Sequence, residues 1–229
     1  MKIHRFIGDF DLSQQSLLIK DSDLAKQMRS VLKLHTGERI ILANGLGLEA
    51  LCEVGGYGAD SVSVNILEQL TNKVEPSSYT ILYCAILKRE NFELVAQKAT
   101  EVGAKEIIPV ITKRTVKLNL RPDRLEKIIK EAAEQSGRAF IPKLYAPMTL
   151  EDAFDRAAKH SANFFFDPSG APLQKGEFLE PVGVFIGPEG GWEEGEIELA
   201  REKGCQIVSL GKLTFRAETA AVIASYLFG

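Results

Sequence analysis

Residues 79–112 read YTILYCAILKRENFELVAQKATEVGAKEIIPVIT, and three features of this stretch decide the fold. The run 79–87 is apolar without alternation, as a strand covered on both faces requires. Phe92, Val95, Ala99 and Val102 then recur at helical spacing over a helix expected from about Asn91 to Val102, and Gly103 supplies its stop. A second apolar run, 106–112, follows at once. Strand, helix and strand in this order form a βαβ unit, which implies a mostly parallel sheet with helices on both faces.

Downstream the pattern continues. Pro122 suits the opening turn of a helix whose stripe is Leu125, Ile128, Ala132 and Gln135, ending near Gly137. Thr149-x-x-Asp152 reads as a capping box ahead of Leu150, Ala153, Phe154 and Ala157. Strands ANFFFD (162–167), VGVFI (182–186, before a Glu-rich helix) and QIVSL (206–210, before the terminal helix 216–228) complete the sheet. Upstream, IHRFI, SLLIK, ERIILAN, LEALCEV and SVSVNILE are short strands, and Asn44-Gly45 fits a type I′ hairpin turn between two of them. One short helix interrupts them, capped by Asp23, with Leu24, Met28, Val31 and Leu32 on its stripe. These residues predict a small β-barrel over 1–70, a linker TNKVEPSS over 71–78, and an α/β domain over 79–229.

With 229 residues, 45% apolar and 26% charged, the composition is globular and excludes disordered or collagen-like chains. Cys52, Cys84 and Cys205 form no CxxC pair and lie in apolar runs, so buried thiols are expected, with neither disulfide framework nor metal site. MKIHRFIGDF lacks an apolar signal core and no run is long enough to span a membrane, which predicts a soluble, cytoplasmic protein. The net charge of −3 is uneven: −2 over 1–70, +5 over 71–150 and −6 over 151–229. Within the basic middle, Lys113, Arg114, Lys117 and Arg121 have no acid among them, and Arg124, Lys127 and Lys130 follow at helical spacing. Such a surface suits phosphates and equally suits a solvated helix face.

Ligands of such sheets bind at the carboxyl ends of the strands. After one late strand comes Ile186-Gly187-Pro188-Glu189-Gly190-Gly191-Trp192, which is neither a Walker loop nor GxGxxG, so triphosphate and dinucleotide sites lose support. Its three glycines allow backbone to approach a ligand closely, and Glu193, Glu194 and Glu196 just beyond would repel a phosphate. A neutral or cationic ligand fits better. After the last strand comes LGKLTFRAETAA (210–221), in which Arg216 can pair with Glu218 or Glu189 as an ordinary salt bridge.

IGPEGGW, an EI-x-x-A segment and LGKLTFRAETAA together resemble the signature of the SPOUT methyltransferases of the RsmE type, which methylate N3 of a uridine in small-subunit (16S) ribosomal RNA. The resemblance extends to HRF at 4–6, Lys88, QKATEVGAKEIIPVITKR at 97–114, EAAEQSGR at 131–138 and Pro142, and so spans nearly the whole chain. It departs in AKQMRSVLK at 25–33, where the family commonly has a His and, at Lys33, an Arg. The resemblance implies a parallel sheet with a C-terminal trefoil knot after a PUA-like barrel, a homodimer, and S-adenosylmethionine as cofactor with no metal. It implies cofactor contacts from Phe166 and Asp167, from Ile186, Gly187, Pro188, Gly190 and Gly191, from Leu210, Gly211, Leu213, Thr214 and Phe215, and from Thr219 and Ala220.

Arg216 would stabilise the uridinate, with Glu189 or Glu218 orienting it or taking the N3 proton. Arg5, Arg29, Lys88, Lys113, Arg114, Lys117, Arg121 and Arg138 would meet ribosomal RNA or the small ribosomal subunit. The alternatives are a SPOUT enzyme acting on transfer RNA or a ribose 2′-hydroxyl, and a non-catalytic RNA-binding assembly factor.

Overall fold

A computed structural model of the protein describes residues 3–115, 119–173 and 181–229. The chain forms two compact units, Met1–Glu75 with Ala133–Ile141, and Pro76–Ala132 with Pro142–Gly229.

The first unit contains a five-stranded sheet of β1 (His4–Ile7), β2 (Ser16–Ile19), β3 (Arg39–Ala43), β4 (Glu49–Tyr57) and β5 (Val62–Leu70), in the order β1-β3-β4-β5-β2. β1 and β3 are parallel and the other ladders antiparallel. Alternation along the strands directs Ile40, Leu42, Ala50, Cys52, Val54, Val62 and Val64 into one core with Phe6 and Met28. No ladder joins β1 to β2 among the described residues.

Two local expectations are corrected in this unit. The β3–β4 connection is a five-residue loop, because Asn44 Oδ1 accepts from the N–H groups of both Leu46 (2.9 Å) and Leu48 (3.1 Å), and Gly47 as well as Gly45 takes positive φ. The short helix α1 (Ser22–Lys26) is capped by Asp21, with Asp23 in its first turn, and it runs into a π-helical turn at Gln27–Val31. The wider π turn rotates the stripe, so Met28 is buried while Val31 is 69% exposed.

The expected linker 71–78 is pinned rather than a plain tether. Asn72 Oδ1 accepts from the N–H groups of Val74 and Glu75, and its Nδ2 donates to Glu49 and to the Gly137 carbonyl. Residues 133–141 belong to the first unit because Glu134 accepts from Ile7 N–H (2.8 Å), Ala133 packs with Ile7 and Ala43, and Arg138 pairs with Glu75.

The second unit holds β6 (Thr80–Ala85), α2 (Arg89–Glu101), β7 (Glu106–Ile111), α3 (Pro122–Ser136, its residues from Ala133 on counted with the first unit), β8 (Lys143–Leu144), β9 (Met148–Thr149), α4 (Leu150–Ala157), β10 (Ala162–Pro172), β11 (Val182–Ile186), α5 (Glu194–Glu202), β12 (Gln206–Ser209) and α6 (Ala217–Leu227). The strands run β12-β10-β11-β6-β7-β8, with β9 also on β7, and every ladder is parallel. One face places Leu82, Cys84, Ile107, Phe164, Val184 and Ile186 against α2, α3 and α6; the other places Ile81, Tyr83, Ile108, Phe165 and Phe185 against α4 and α5. This is the doubly covered α/β sheet that residues 79–112 imply.

α3 buries Leu125, Ile129 and Ala132, leaving Ile128 half-buried and Gln135 exposed, so the stripe lies one residue beyond the expected Ile128. β10 continues past Asp167 to Pro172, shifting register on β12 between Phe166 and Ala171. Gly170 permits this: a Cβ there would lie 2.5 Å from Val208 N and 2.7 Å from the Ile207 carbonyl. All three cysteines are free and buried, and burial pushes the Cys52 thiol up to about 11 and Cys205 up to about 12.

Candidate functional site

Phe166 on β10, Ile186 ending β11 and Ser209 ending β12 open onto one cavity of about 900 Å³ at the carboxyl edge of the sheet. Its walls are the turn 187–192, the segment 210–216 and the beginnings of α2 and α6. The glycine turn closes through Gly191 N–H to the Pro188 carbonyl (2.8 Å), with Gly191 at φ +73°. Trp192 donates from Nε1 to the Phe166 carbonyl (3.0 Å), tying this turn to β10. The indole lies so close to Gly187 that a Cβ there would sit 2.9 Å from it, so this glycine serves the tryptophan. Gly211 adopts φ +107° beside open space.

The cavity is lined by Phe166, Asp167, Ile186, Gly187, Pro188, Gly190, Gly191, Leu210, Gly211, Leu213, Thr214, Phe215 and Ala220, and by Lys88, Glu189, Arg216 and Glu218. Thr219 does not line it and is exposed on α6. Asn91, Pro168, Trp192, Ser209, Lys212 and Ala217 join the lining without having been singled out. Trp192, Lys212 and Ala217 lie inside the two quoted motifs, Pro168 follows the expected strand 162–167 and falls within β10, and Ser209 ends β12. Asn91 is distant in sequence from both motifs, and its only signal there is its place in the opening turn of the helix after the strand 79–87.

The three charged candidates differ in their partners. Glu189 Oε1 accepts from Lys88 N–H (3.1 Å) and Asn91 Nδ2 (3.2 Å). Burial alone would raise its carboxyl, but these hydrogen bonds, with the Lys88 charge, hold it below the usual carboxylate range. Glu218 is 8% exposed, and its Oε2 is buried with no hydrogen-bond partner among the described residues. A carboxylate with such an oxygen, on a residue that lines the cavity, suits a ligand that brings positive charge or a proton. Arg216 starts α6 with its backbone and forms no ion pair among the described residues, so the expected salt bridge to Glu218 or Glu189 is absent.

The RNA candidates scatter. Arg138 is 2% exposed and bonds Glu75 (2.7 Å), and Arg5 is half-buried and paired with the buried Glu49; both charges are thereby already partnered within the protein. Arg29, Lys88, Lys113, Arg114 and Arg121 are exposed, Arg121 bonding Asp123 at 2.9 Å, and Lys117 lies outside the described residues. Arg124 bonds Glu93 (2.6 Å). No helix among the described residues is long and apolar enough to cross a membrane, and no group of three His, Cys, Asp or Glu among them could hold a metal ion.

Residues 74–228 match the family described as RNA methyltransferase domain. The chain is 30% identical over an aligned length of 234 to ribosomal RNA small subunit methyltransferase E of Rickettsia conorii, covering 98% of this chain and 94% of that protein. To its namesake in Bacillus subtilis it is 29% identical, with 85% and 82% covered. The fold superposes with TM-score 0.92 on the Neisseria gonorrhoeae ribosomal RNA small subunit methyltransferase E crystallised with S-adenosylmethionine, at 27% identity over 98% and 95% of the two chains. A Legionella pneumophila protein, also crystallised with S-adenosylmethionine, gives TM-score 0.87 at 30% identity over 100% and 97%.

Proposed function

Because the chain belongs to the RNA methyltransferase family, we propose that it transfers the methyl group of S-adenosylmethionine to N3 of a uridine in small-subunit ribosomal RNA. The observation that carries this reading is the pairing, in one cavity, of an Arg216 without an ion pair and a Glu218 whose buried Oε2 is unpartnered among the described residues.

The lining fits the cofactor. Leu210, Leu213 and Phe215 offer apolar contact for an adenine, the glycine turns offer backbone groups, and Glu218 offers negative charge where a cation must sit. When bound, S-adenosylmethionine supplies an electrophilic methyl on a sulfonium centre. The chain's own residues must then act on the uracil. Its N3–H is a weak acid and a poor nucleophile until ionised, so Arg216 stabilises the uridinate electrostatically. Glu189 is already committed to Lys88 and Asn91, which leaves Glu218 as the carboxylate to accept the N3 proton. Holding N3 in line with the methyl supplies much of the remaining rate.

The first unit acts as a PUA-like barrel that helps hold RNA, with Arg29 on its surface and Lys88, Lys113, Arg114 and Arg121 of the second unit as phosphate contacts. The C-terminal segment threads a trefoil knot, and the working enzyme is a cytoplasmic homodimer; the likeness of IGPEGGW and LGKLTFRAETAA to the SPOUT signature supports these points.

The test incubates the protein with radiolabelled S-adenosylmethionine and undermodified small ribosomal subunits, then digests the RNA to nucleosides. Label in 3-methyluridine is the expected result. Label in a ribose-methylated nucleoside, in transfer RNA alone, or in none would overturn the assignment.

A further inference from the structure

We propose that Arg114 is a positioning residue of the methyl-donor site, holding the glycine turn 187–191 in its binding conformation through the Gly190 carbonyl. This rests on the reading that the cavity binds S-adenosylmethionine.

The turn is anchored on two sides. On one, Glu189 bonds the start of α2 through Lys88 N–H and Asn91 Nδ2. On the other stands a turn just after β7, locked by Thr115 Oγ1 accepting from Thr112 N–H (2.9 Å) and by Thr115 N–H donating to the Thr112 carbonyl (3.1 Å). That lock aims the next two residues at the junction of the glycine turn and α5. Lys113 N–H donates to Glu196 Oε1 (2.9 Å), whose Oε2 accepts from Glu193 N–H. Arg114 donates from Nη1 to the Gly190 carbonyl and lies 3.8 Å, through Nε, from Glu193 Oε1.

The Arg114 stem also packs beside Gly190, where an added Cβ would lie 3.3 Å from Arg114 Cδ, a close contact. A residue serving RNA phosphates alone would need neither the carbonyl bond nor this packing. A planar guanidinium can donate along a fixed direction, which a lysine ammonium on a flexible stem cannot reproduce.

Calorimetric titration of the full-length protein with S-adenosylmethionine, without RNA, tests the assignment. Arg114→Ala is expected to bind about tenfold more weakly, as loss of one charge-assisted hydrogen bond predicts. In turnover assays KM for the cofactor should rise while kcat at saturating cofactor stays near wild type. Arg114→Lys should keep wild-type RNA affinity and salt slope but recover little cofactor affinity, and Lys159→Ala, in an exposed turn just after α4, should change neither. Wild-type cofactor affinity in both Arg114 variants, or full rescue by lysine, would overturn the proposal. Should Arg114→Ala fail to fold, the lysine variant decides alone. No binding by the wild-type protein would instead sink the cofactor reading on which the proposal stands.

Discussion

Arg216 and Glu218 lie two residues apart at the start of α6, yet they do not pair, and each meets the cavity on its own. Sequence spacing alone favours a salt bridge between them, since an exposed arginine near an acid usually finds it. The helix start decides otherwise: Arg216 is the extended residue before α6, at φ −65° and ψ 153°, whereas Glu218 is already helical and buried. A cation left beside a developing uridinate contributes more to the transition state than to the bound substrate. Arg216→Ala is therefore expected to slow single-turnover methyl transfer by roughly 10²–10³-fold, the scale of losing one oxyanion donor, while cofactor affinity changes little. Raising the pH should restore part of the loss, because more uridine then ionises unaided. Near-wild-type turnover would make Arg216 a structural residue only. The residue-level differences share one cause: Arg5, half-buried, and Arg138, buried, are basic in sequence but paired with Glu49 and Glu75, and pairing with a distant partner leaves no local signature.

At the scale of elements, the sequence was most legible where periodicity is long. Residues 79–112 yield β6, α2 and β7 within a residue or two, and Thr149 caps α4 above the buried Leu150, Ala153, Phe154 and Ala157. Where local hydrogen bonding competes with periodicity, legibility fails, as at Asn44, whose side chain closes a longer loop, and at Gln27–Val31, where a π turn rotates the stripe. The apolar run 162–167 predicts a strand of six residues, whereas β10 runs for eleven, because its extension depends on a backbone approach that only a glycine allows. That dependence predicts opposite outcomes for one kind of substitution. Gly170→Ala should cost about 3 kcal/mol by forcing β10 off β12, lowering the melting temperature by roughly 10 °C. Gly195→Ala on α5, with nothing within 4 Å of the added Cβ, should leave it unchanged or raise it by a few degrees. Equal melting temperatures for the two variants would show that the β10–β12 approach is not as close as described.

For the molecule as a whole, the sequence separated a strand-rich beginning from an α/β remainder, and it could not see residues 133–141 return to the first unit, because the contacts responsible join positions up to 127 residues apart. Stability should also carry a pH dependence set far from the cavity. His160 bonds Tyr83 (2.8 Å) among buried groups, and desolvation, with the Arg156 charge, lowers its pKa from the ordinary 6.5. Above pH 6.5 both folded and unfolded chains hold it neutral and the folded state keeps its full stability. As pH falls below 6.5 towards the lowered folded value, the unfolded chain takes up a proton that the folded one refuses, and stability drops. Urea unfolding at pH 7.5 and 5.5 should show this loss in the wild type and a smaller one in His160→Gln; equal losses would contradict it.

The central claim, that the cavity between the glycine turn 186–192 and the segment 209–216 is the methyl-donor site, is tested most directly by a crystal structure determined with S-adenosylmethionine. Cofactor density within that cavity, with Glu218 Oε2 newly partnered, is the predicted result. Density bound elsewhere on the protein, or an empty cavity at saturating cofactor, would contradict it.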